Sequence, residues 1–205
     1  MLSRGSSTRV KLLASALVLA ALCTSATTAR AQDQANDSPR VHQGFWIGGG
    51  LGYGSVSSSC DGCGSSDSEG GFSGLLRLGG TLSEQVLLGV ESDGWYKDIN
   101  GTTNTVGNLS AAVYVYPSKT MGMFLKGGAG VAGYQAKNGS DKLDGYGVGL
   151  IGGLGYDIPI GGHTAFTPMA TLTWGNLGDL NFNGQSSASG AKQTLLQVVF
   201  TFSAY

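Results

Sequence analysis

The chain has 205 residues, 36 of them Gly, and only 12% of its residues are charged. That is about half of the roughly 25% that soluble globular domains carry, which argues against an ordinary cytosolic enzyme. No apolar run reaches the roughly 18 to 20 residues that a membrane-spanning helix needs, so a helical membrane protein is excluded and one compact domain is expected.

The N-terminus has the pattern of a secretory signal. Three basic residues precede an apolar stretch over 12–23, and the triplet Ala29-Arg30-Ala31 follows. We predict a signal peptide over 1–31 that is cleaved between Ala31 and Gln32, and then a short periplasmic segment over 32–42. Cleavage removes four of the 12 basic residues and leaves 8 against 13 acidic ones, a net charge of −5. A nucleic-acid partner is therefore not expected.

Two Cys remain after cleavage, Cys60 and Cys63, spaced Cys-Asp-Gly-Cys in a stretch rich in Ser and Gly. Outside the cytosol such a pair is usually oxidised. A thioredoxin-like role would need the motif at the start of a helix near a βαβ unit, and a zinc site would need two further ligands. We therefore predict a small disulfide that ties a loop, and we expect no metal ion and no cofactor.

Period-two alternation runs through the rest of the chain and predicts an all-β fold. In the segment over 45–53, the residues at 45, 47, 51 and 53 are apolar or aromatic on one face, whereas Trp46 and three Gly share the other. Gly is too frequent for an amphipathic helix. In chain order, eight predicted strands lie near residues 45–53, 72–82, 86–96, 109–115, 123–133, 146–158, 166–174 and 196–202.

The connections between these strands alternate between short and long. Short connections are predicted at 83–85, 117–121 and 159–162, and long ones at 55–71, 98–107, 135–145 and 175–192. Strands joined in this way form an antiparallel up-and-down sheet. Because the number of strands is even, both ends of the mature chain are expected on the same side.

On the apolar face, aromatic residues lie at the strand ends, and aliphatic residues or Gly fill the middles. Next to the long connections are Tyr53, Phe72, Tyr96, Tyr146 and Trp174, and next to the short ones are Phe45, Tyr156, Phe166 and Phe202. A separation of eight to ten residues within one strand corresponds to about 20 to 25 Å, close to the hydrocarbon band of a bacterial outer membrane. Since this face has no charged residue, we predict an eight-stranded antiparallel transmembrane β-barrel with its apolar face toward lipid.

The opposite face is the predicted barrel interior. It carries Arg77, Glu91, Asp93, Lys126 and Asp157. Eight strands leave a lumen that side chains fill, so a plug rather than a pore is expected. A hairpin centred on Glu84 pairs residue i with residue 168 − i and brings Arg77 opposite Glu91. We predict an internal ion pair between these two residues, with a packing role.

Three segments resemble a known family: Gly44–Gly54, Leu76–Thr81 and Gly153–Pro159, together with a C-terminal aromatic residue. They resemble the small eight-stranded outer-membrane barrels of the OmpA/OmpX type, over residues 43–205. The resemblance implies contact with outer-membrane lipid and lipopolysaccharide, and insertion by the barrel-assembly machinery, which reads an aromatic C-terminal strand. Tyr205 is out of phase with Phe202, so either a bulge or frayed end lies near residues 203–204 or the last register is wrong.

The expected role is structural or one of surface interaction through the outer loops, because loops on a rigid scaffold usually carry such functions. One alternative is a soluble or periplasmic ligand-binding barrel with its apolar face inward. A lipid-modifying enzyme is the other. His42 and His163 are both expected on the periplasmic side, whereas lipid A acyl chemistry takes place near the outer leaflet in known relatives, so no enzyme activity is expected.

Overall fold

The computed structural model describes residue 42 and residues 44–61, 64–65 and 67–205. These residues form ten strands: β1 (Phe45–Cys60), β2 (Gly64–Ser65), β3 (Glu69–Ser83), β4 (Val86–Ile99), β5 (Thr102–Val115), β6 (Met123–Asn138), β7 (Asp141–Tyr156), β8 (Ile158–Gly161), β9 (Thr164–Phe182) and β10 (Gln185–Ala204). A membrane-spanning helix, long and apolar enough to cross, is not found among the described residues. The all-β prediction is confirmed.

The eight long strands form a closed antiparallel up-and-down barrel, as predicted. Each pairs with its neighbours in chain order, and β10 closes the cylinder by pairing with β1. The two short strands are additions at the barrel ends, where β2 pairs with the end of β1 and β8 with the start of β9. Ile47 is opposite Ala204, so β1 begins and β10 ends on the same side of the barrel. We call this side the lower end and the other the upper end.

The strands are staggered around the barrel. Gly149 of β7 is paired with Gly175 of β9. The chain of register partners that starts at Gly149 and runs the other way through β6, β5, β4, β3, β1 and β10 reaches β9 at Ala165, ten residues from Gly175. At roughly 3.3 Å per residue and 4.8 Å between strands, this stagger gives a tilt of about 40°.

Side-chain exposure has the predicted alternation. Ile47, Leu88 and Leu150 face outward and are 52%, 44% and 46% exposed, whereas Trp46 faces the lumen and is 1% exposed. Aromatic residues bracket this outward apolar band. The upper girdle consists of Tyr53, Phe72, Tyr96, Tyr146 and Trp174, and the lower girdle consists of Phe45, Tyr156, Phe166 and Phe202. The predicted facing of the strands is therefore confirmed.

The upper connections are shorter than predicted, and this corrects the sequence analysis. The predicted loops over 98–107, 135–145 and 175–192 are largely strand, joined by two-residue turns at 100–101, 139–140 and 183–184. In two of these turns, Asn100-Gly101 and Asn183-Gly184, both residues have positive φ (52° and 80°, 51° and 85°). Such turns match the twist of a hairpin, so the strands stay paired up to the tip.

The end of β10 is regular, so neither a bulge near residues 203–204 nor a wrong register is needed. Its pairing with β9 runs without a shift from Lys192 to Ala204, and Phe202 faces outward. Tyr205 continues the alternation and turns toward the lumen. There its phenol approaches the phenol of Tyr116 at 3.4 Å, and its backbone N–H donates to the carbonyl of His163.

Candidate functional site

Buried side chains fill the lumen in layers along its axis. The lower half is aromatic and aliphatic, with Trp46, Leu87, Tyr114, Tyr116, Phe124 and Met169 in one cluster. Near the upper end, Val56, Trp95, Val106 and Leu195 form a second apolar cluster. Polar side chains lie on the interior faces of the strands as well, and all five predicted interior charges are buried. Interior charges need partners inside the barrel, and those partners define its polar networks.

Arg77 is held by aromatic rings in the lower half of the lumen. Its guanidinium lies 5.8 Å from the ring of Trp46, 5.5 Å from Tyr114 and 5.3 Å from Phe124, distances that allow cation–π attraction. One terminal nitrogen donates to the hydroxyl of Ser203 at 2.8 Å. The same nitrogen lies 3.8 Å from the carboxylate of Asp157.

Glu91 is bound by residues of other strands, and this corrects the predicted ion pair. Arg77 and Glu91 are register partners, as the hairpin arithmetic predicted. The carboxylate of Glu91, however, accepts from Lys126 of β6 and from the phenol of Tyr114 of β5 at 2.6 Å. The physical reason is reach, because Lys126 extends along the lumen to Glu91 while Arg77 extends toward Ser203 and Asp157 at the lower end.

A second polar chain crosses the lumen near Glu91. Gln197 of β10 donates to Asp93 of β4 and accepts from Ser73 of β3, and Ser73 also contacts the carbonyl of Gly94 at 3.0 Å. The sequence analysis placed Asp93 inside but missed Gln197 as its partner. The outward Leu196 and Val198 on either side of Gln197 were the signal that could have found it, since period-two alternation then turns Gln197 inward.

Asp157 gathers donors at the lower mouth of the barrel, between β7 and β8. It accepts from the phenols of Tyr116 and Tyr205, each at 2.7 Å, and from the hydroxyl of Thr167 at 2.5 Å. Burial alone would raise the pKa of Asp157, but nearby His42 and the charge of Arg77 lower it to about 2. Burial, followed by the charge of Asp157, raises the pKa of both phenols, so they remain protonated donors.

His42 covers this mouth from below. Its ring is 6% exposed and packs on Tyr116 and Tyr205, with ring centres 4.4 and 4.7 Å apart. One ring nitrogen lies 3.8 Å from Asp157, and the other faces the carbonyl of Glu84 at 3.5 Å. His42 is thus part of the packing at the lower end, where the sequence analysis placed it but without predicting these contacts. His163 lines the same small cavity.

Two sequence predictions, the disulfide and the signal cleavage site, involve residues that the structure does not describe. Cys60 is disulfide-bonded, but Cys63, its predicted partner, lies outside the described residues, so this pairing stays a prediction. Cleavage between Ala31 and Gln32 also lies outside them. Among the side chains that the structure describes, no group of three His, Cys, Asp or Glu residues could hold a metal ion.

At the upper rim, hydrogen bonds link the tips of three neighbouring hairpins, β4–β5, β6–β7 and β9–β10. Asn183 donates its backbone N–H to the carbonyl of Lys142 at 2.8 Å and accepts from the N–H of Lys142 at 2.9 Å. Asn138 donates to Thr102 at 3.0 Å, and so connects the tips on the other side. These contacts present backbone and polar side chains upward on a rigid support, which is where an interaction surface can form.

Comparison with known proteins agrees with this architecture. No family model matches the chain, and no curated protein matches it in sequence. Among solved structures, Neisserial surface protein A has a TM-score of 0.52 at 15% identity and covers 79% of this chain and 97% of its own. The attachment invasion locus protein Ail of Yersinia pestis, solved with the heparin analogue sucrose octasulfate, has a TM-score of 0.53 at 11% identity and covers 78% and 99%.

At these identities the likeness concerns the fold alone. It is the fold of the small eight-stranded outer-membrane β-barrels, as the sequence resemblance implied.

Proposed function

We infer that this chain is an integral protein of a bacterial outer membrane, exported with cleavage after Ala31. One observation carries the proposal: between the two aromatic girdles the outward face is apolar and has no charged residue, while the charged residues at that level of the barrel lie inside. That is the inverse of a water-soluble barrel and fits a hydrocarbon band about 25 Å tall. In this placement the lower end faces the periplasm and the upper rim faces the outside.

The proposed role is structural or one of surface interaction through the upper hairpins, with no open pore. The filled lumen supports the absence of a pore, since aromatic residues and buried ion pairs occupy it from end to end. The hydrogen-bonded hairpin tips at the upper rim support surface interaction. The names of the two similar structures, a surface protein and an attachment invasion locus protein, agree with that role. The proposed partners are lipopolysaccharide and lipid, with the barrel-assembly machinery during insertion.

The facing of the strands argues against the soluble ligand-binding alternative. Such a barrel would turn its apolar face inward around a ligand, whereas here Ile47 and Leu150 point outward and Glu91 and Lys126 point inward. A lipid-modifying activity gains no support either. Both described imidazoles lie at the lower end, and His42 directs its two ring nitrogens toward Asp157 and a backbone carbonyl rather than toward a serine.

Two measurements test the proposal. Membrane fractionation combined with gel electrophoresis of heated and unheated samples should find the protein in the outer membrane, with a mobility that depends on heating. Extraction by urea without any mobility shift would contradict membrane insertion. In planar bilayers we expect small conductance or none, and large stable channels would contradict the filled lumen while leaving the membrane location intact.

A further inference from the structure

The lumen holds four buried oxygen atoms that the hydrogen-bond networks described above leave unused. They are Oδ2 of Asp93 on β4, Oδ1 of Asn108 on β5, and the hydroxyl oxygens of Thr171 and Thr173 on β9. Their residues are between 1% and 4% exposed, and none of the four atoms has a hydrogen-bond partner among the described residues. Buried polar atoms without a partner are destabilising, so a group of them needs an explanation. We call these four atoms the oxygen site.

The first two oxygens come from neighbouring strands. Asp93 and Asn108 are register partners, and both side chains face the lumen. The amide nitrogen of Asn108 donates to the hydroxyl of Ser110 at 2.7 Å, which fixes the direction of the amide. The amide oxygen reaches into the lumen as far as β7, where a Cβ at Gly149 would overlap it. Glycine at this position therefore leaves the space that the oxygen occupies.

The hydroxyls of Thr171 and Thr173 lie across the lumen from Asp93, at the same height. β9 is four strands away from β4 in either direction around the barrel. The chain of register partners through β3, β1 and β10 leads from Asp93 to Thr167. Because the two directions reach points on β9 that are ten residues apart, the point of equal height is midway, at residue 172. Thr171 and Thr173 are the inward residues on either side of it.

Gln197 shows that side chains from these two walls meet at this height. It is the register partner of Thr171, and its amide donates to Asp93. Small residues take several of the inward positions around the oxygen site, namely Gly52, Ser73, Ser110 and Gly130. They leave room for a small ligand between the walls.

The charge of Asp93 is not balanced inside the barrel. Three of the five interior charged residues are acidic and two are basic, which leaves a net charge of −1. Arg77 lies beside Asp157, and Lys126 forms its ion pair with Glu91. The ammonium of Lys126 also interacts with Asp93, but a single ammonium balances a single carboxylate. A buried charge of this kind needs a counter-charge.

The chemistry of the oxygen site fits a monovalent metal cation. The amide N–H donors beside it are already used, since Asn108 donates to Ser110 and Gln197 donates to Asp93. What remains is one carboxylate oxygen, one amide oxygen and two hydroxyls, and hard cations take oxygen ligands of these kinds. One positive charge balances the carboxylate, whereas a divalent ion would leave an excess positive charge buried. Water alone would hydrogen-bond these oxygens but would supply no counter-charge.

We propose that the oxygen site binds one monovalent metal cation such as Na⁺, with Asp93, Asn108, Thr171 and Thr173 as its protein ligands. Water completes the coordination shell. The cation links β4 and β5 to β9 across the lumen and thereby stabilises the closed barrel. This inference goes beyond the proposed function and does not depend on the medium around the outward face, because all four ligands face the lumen.

Urea unfolding in two salts tests the proposal. The protein is unfolded and refolded at pH 7 in a nonionic detergent, which offers no phosphate to bind the cation. The solution contains about 0.15 M NaCl or choline chloride, so screening is equal, but choline is too large for the site. Because the barrel closes in the chosen salt, Na⁺ can enter during folding. We expect the unfolding equilibrium constant to be about tenfold lower in Na⁺, as for a site with a Kd of about one tenth of the salt concentration.

Asp93→Asn removes the charged ligand and should abolish this difference between the salts. Asp157→Asn is the matched control, because it removes a lumenal carboxylate that lies beside Arg77 instead, and it should retain the difference. Equal stability of the wild-type protein in the two salts would overturn the proposal and leave water or a shared proton as the occupant. A difference that survives Asp93→Asn would overturn it as well, since the cation would then bind elsewhere.

Two further measurements keep the test open if Asp93→Asn does not fold. Thr171→Val with Thr173→Val preserves the shape of both side chains but removes both hydroxyls, and it should lower the effect of Na⁺ severalfold. An unchanged effect would exclude these two ligands. In crystals of the wild-type protein grown with Tl⁺ in place of Na⁺, anomalous scattering should place the ion between Asp93 and β9. The absence of a peak there would overturn the site.

Discussion

Asp157 is the central polar residue at the lower end of the barrel. Its buried carboxylate accepts hydrogen bonds from three hydroxyl groups and lies near the guanidinium of Arg77. Asp157→Asn keeps the size of the side chain but removes the charge that faces Arg77. A pKa lowered from 3.8 to about 2 corresponds to about 2 kcal/mol. We expect the variant to lose about that much unfolding free energy at pH 7, as measured by urea titration in phospholipid vesicles.

The pH dependence of this difference follows from the sign of the shift. A carboxyl group with a lowered folded-state pKa contributes stability above its unfolded value of 3.8, and that contribution disappears as the pH falls toward about 2. The gap between wild type and Asp157→Asn should therefore close between about pH 4 and pH 2. The exposed Asp179→Asn is the control, and a gap that stays constant with pH would contradict the role of the charge.

Lys126 and Glu91 are a buried pair, and removing one partner should cost more than removing both. Lys126→Met leaves the carboxylate of Glu91 uncompensated, with Tyr114 as its remaining donor. Breaking such a pair costs about 3 to 5 kcal/mol, whereas neutral replacement of both partners is often tolerated. We expect Lys126→Met with Glu91→Gln to recover much of the loss in urea unfolding. Strictly additive effects would show that the pair is not coupled.

For single residues, the sequence predicts which side chains face the lumen but not which side chains they contact there. The position of Arg77 opposite Glu91 follows from one hairpin and is therefore readable locally. The actual partners come from strands that are not neighbours, such as Lys126 for Glu91. Their approach depends on the stagger of the whole barrel and on the reach of long side chains, and no short stretch of sequence encodes either property.

Among the elements, the upper hairpins differ most from their sequence prediction. The stretches over 98–107 and 175–192 are polar and rich in Asn and Gly, a composition typical of loops. Within them, Asn100-Gly101 and Asn183-Gly184 are the strongest short signal for a two-residue hairpin turn. The two Asn-Gly pairs are therefore sufficient to predict both hairpins from the sequence. Above the band the outward face is mostly polar, and apolar residues such as Val106 and Leu177 face the lumen instead. The pattern of alternation that marks the band therefore does not continue into these stretches.

Gly184 tests how firmly a turn holds its hairpin. Its φ of 85° lies in the left-handed region, which costs a β-branched residue about 1 to 2 kcal/mol. Gly184→Val should therefore open the tip of β9 and β10 while the barrel remains folded. Limited proteolysis should show faster cleavage near residues 180–188 at unchanged heat-dependent mobility. Gly107→Val, which has no positive φ, should leave the tip resistant, and equal cleavage in both variants would contradict the turn's role.

The architecture of the whole barrel follows from the same alternation of apolar and polar residues in each of the eight long strands. Each strand such as β1 or β7 has one apolar face, and only a closed sheet can turn all of these faces the same way and leave no edge. Strand order, facing and the common side of both ends were predictable for this reason. The stagger of ten residues was not, because it sums small offsets over all pairs.

A single charged substitution can test whether the apolar face of the strands points toward lipid. Leu150 lies on the outward face of β7 between Tyr146 and Tyr156, one residue of each girdle. Leu150→Arg should cost about 2 to 4 kcal/mol of unfolding free energy in vesicles, since a cation near the middle of the hydrocarbon loses its hydration. Ser57→Arg places the same side chain four residues beyond Tyr53, above the upper girdle, where the expected cost is about 0 to 1 kcal/mol. Equal stability of the two variants would mean that the apolar face does not meet lipid.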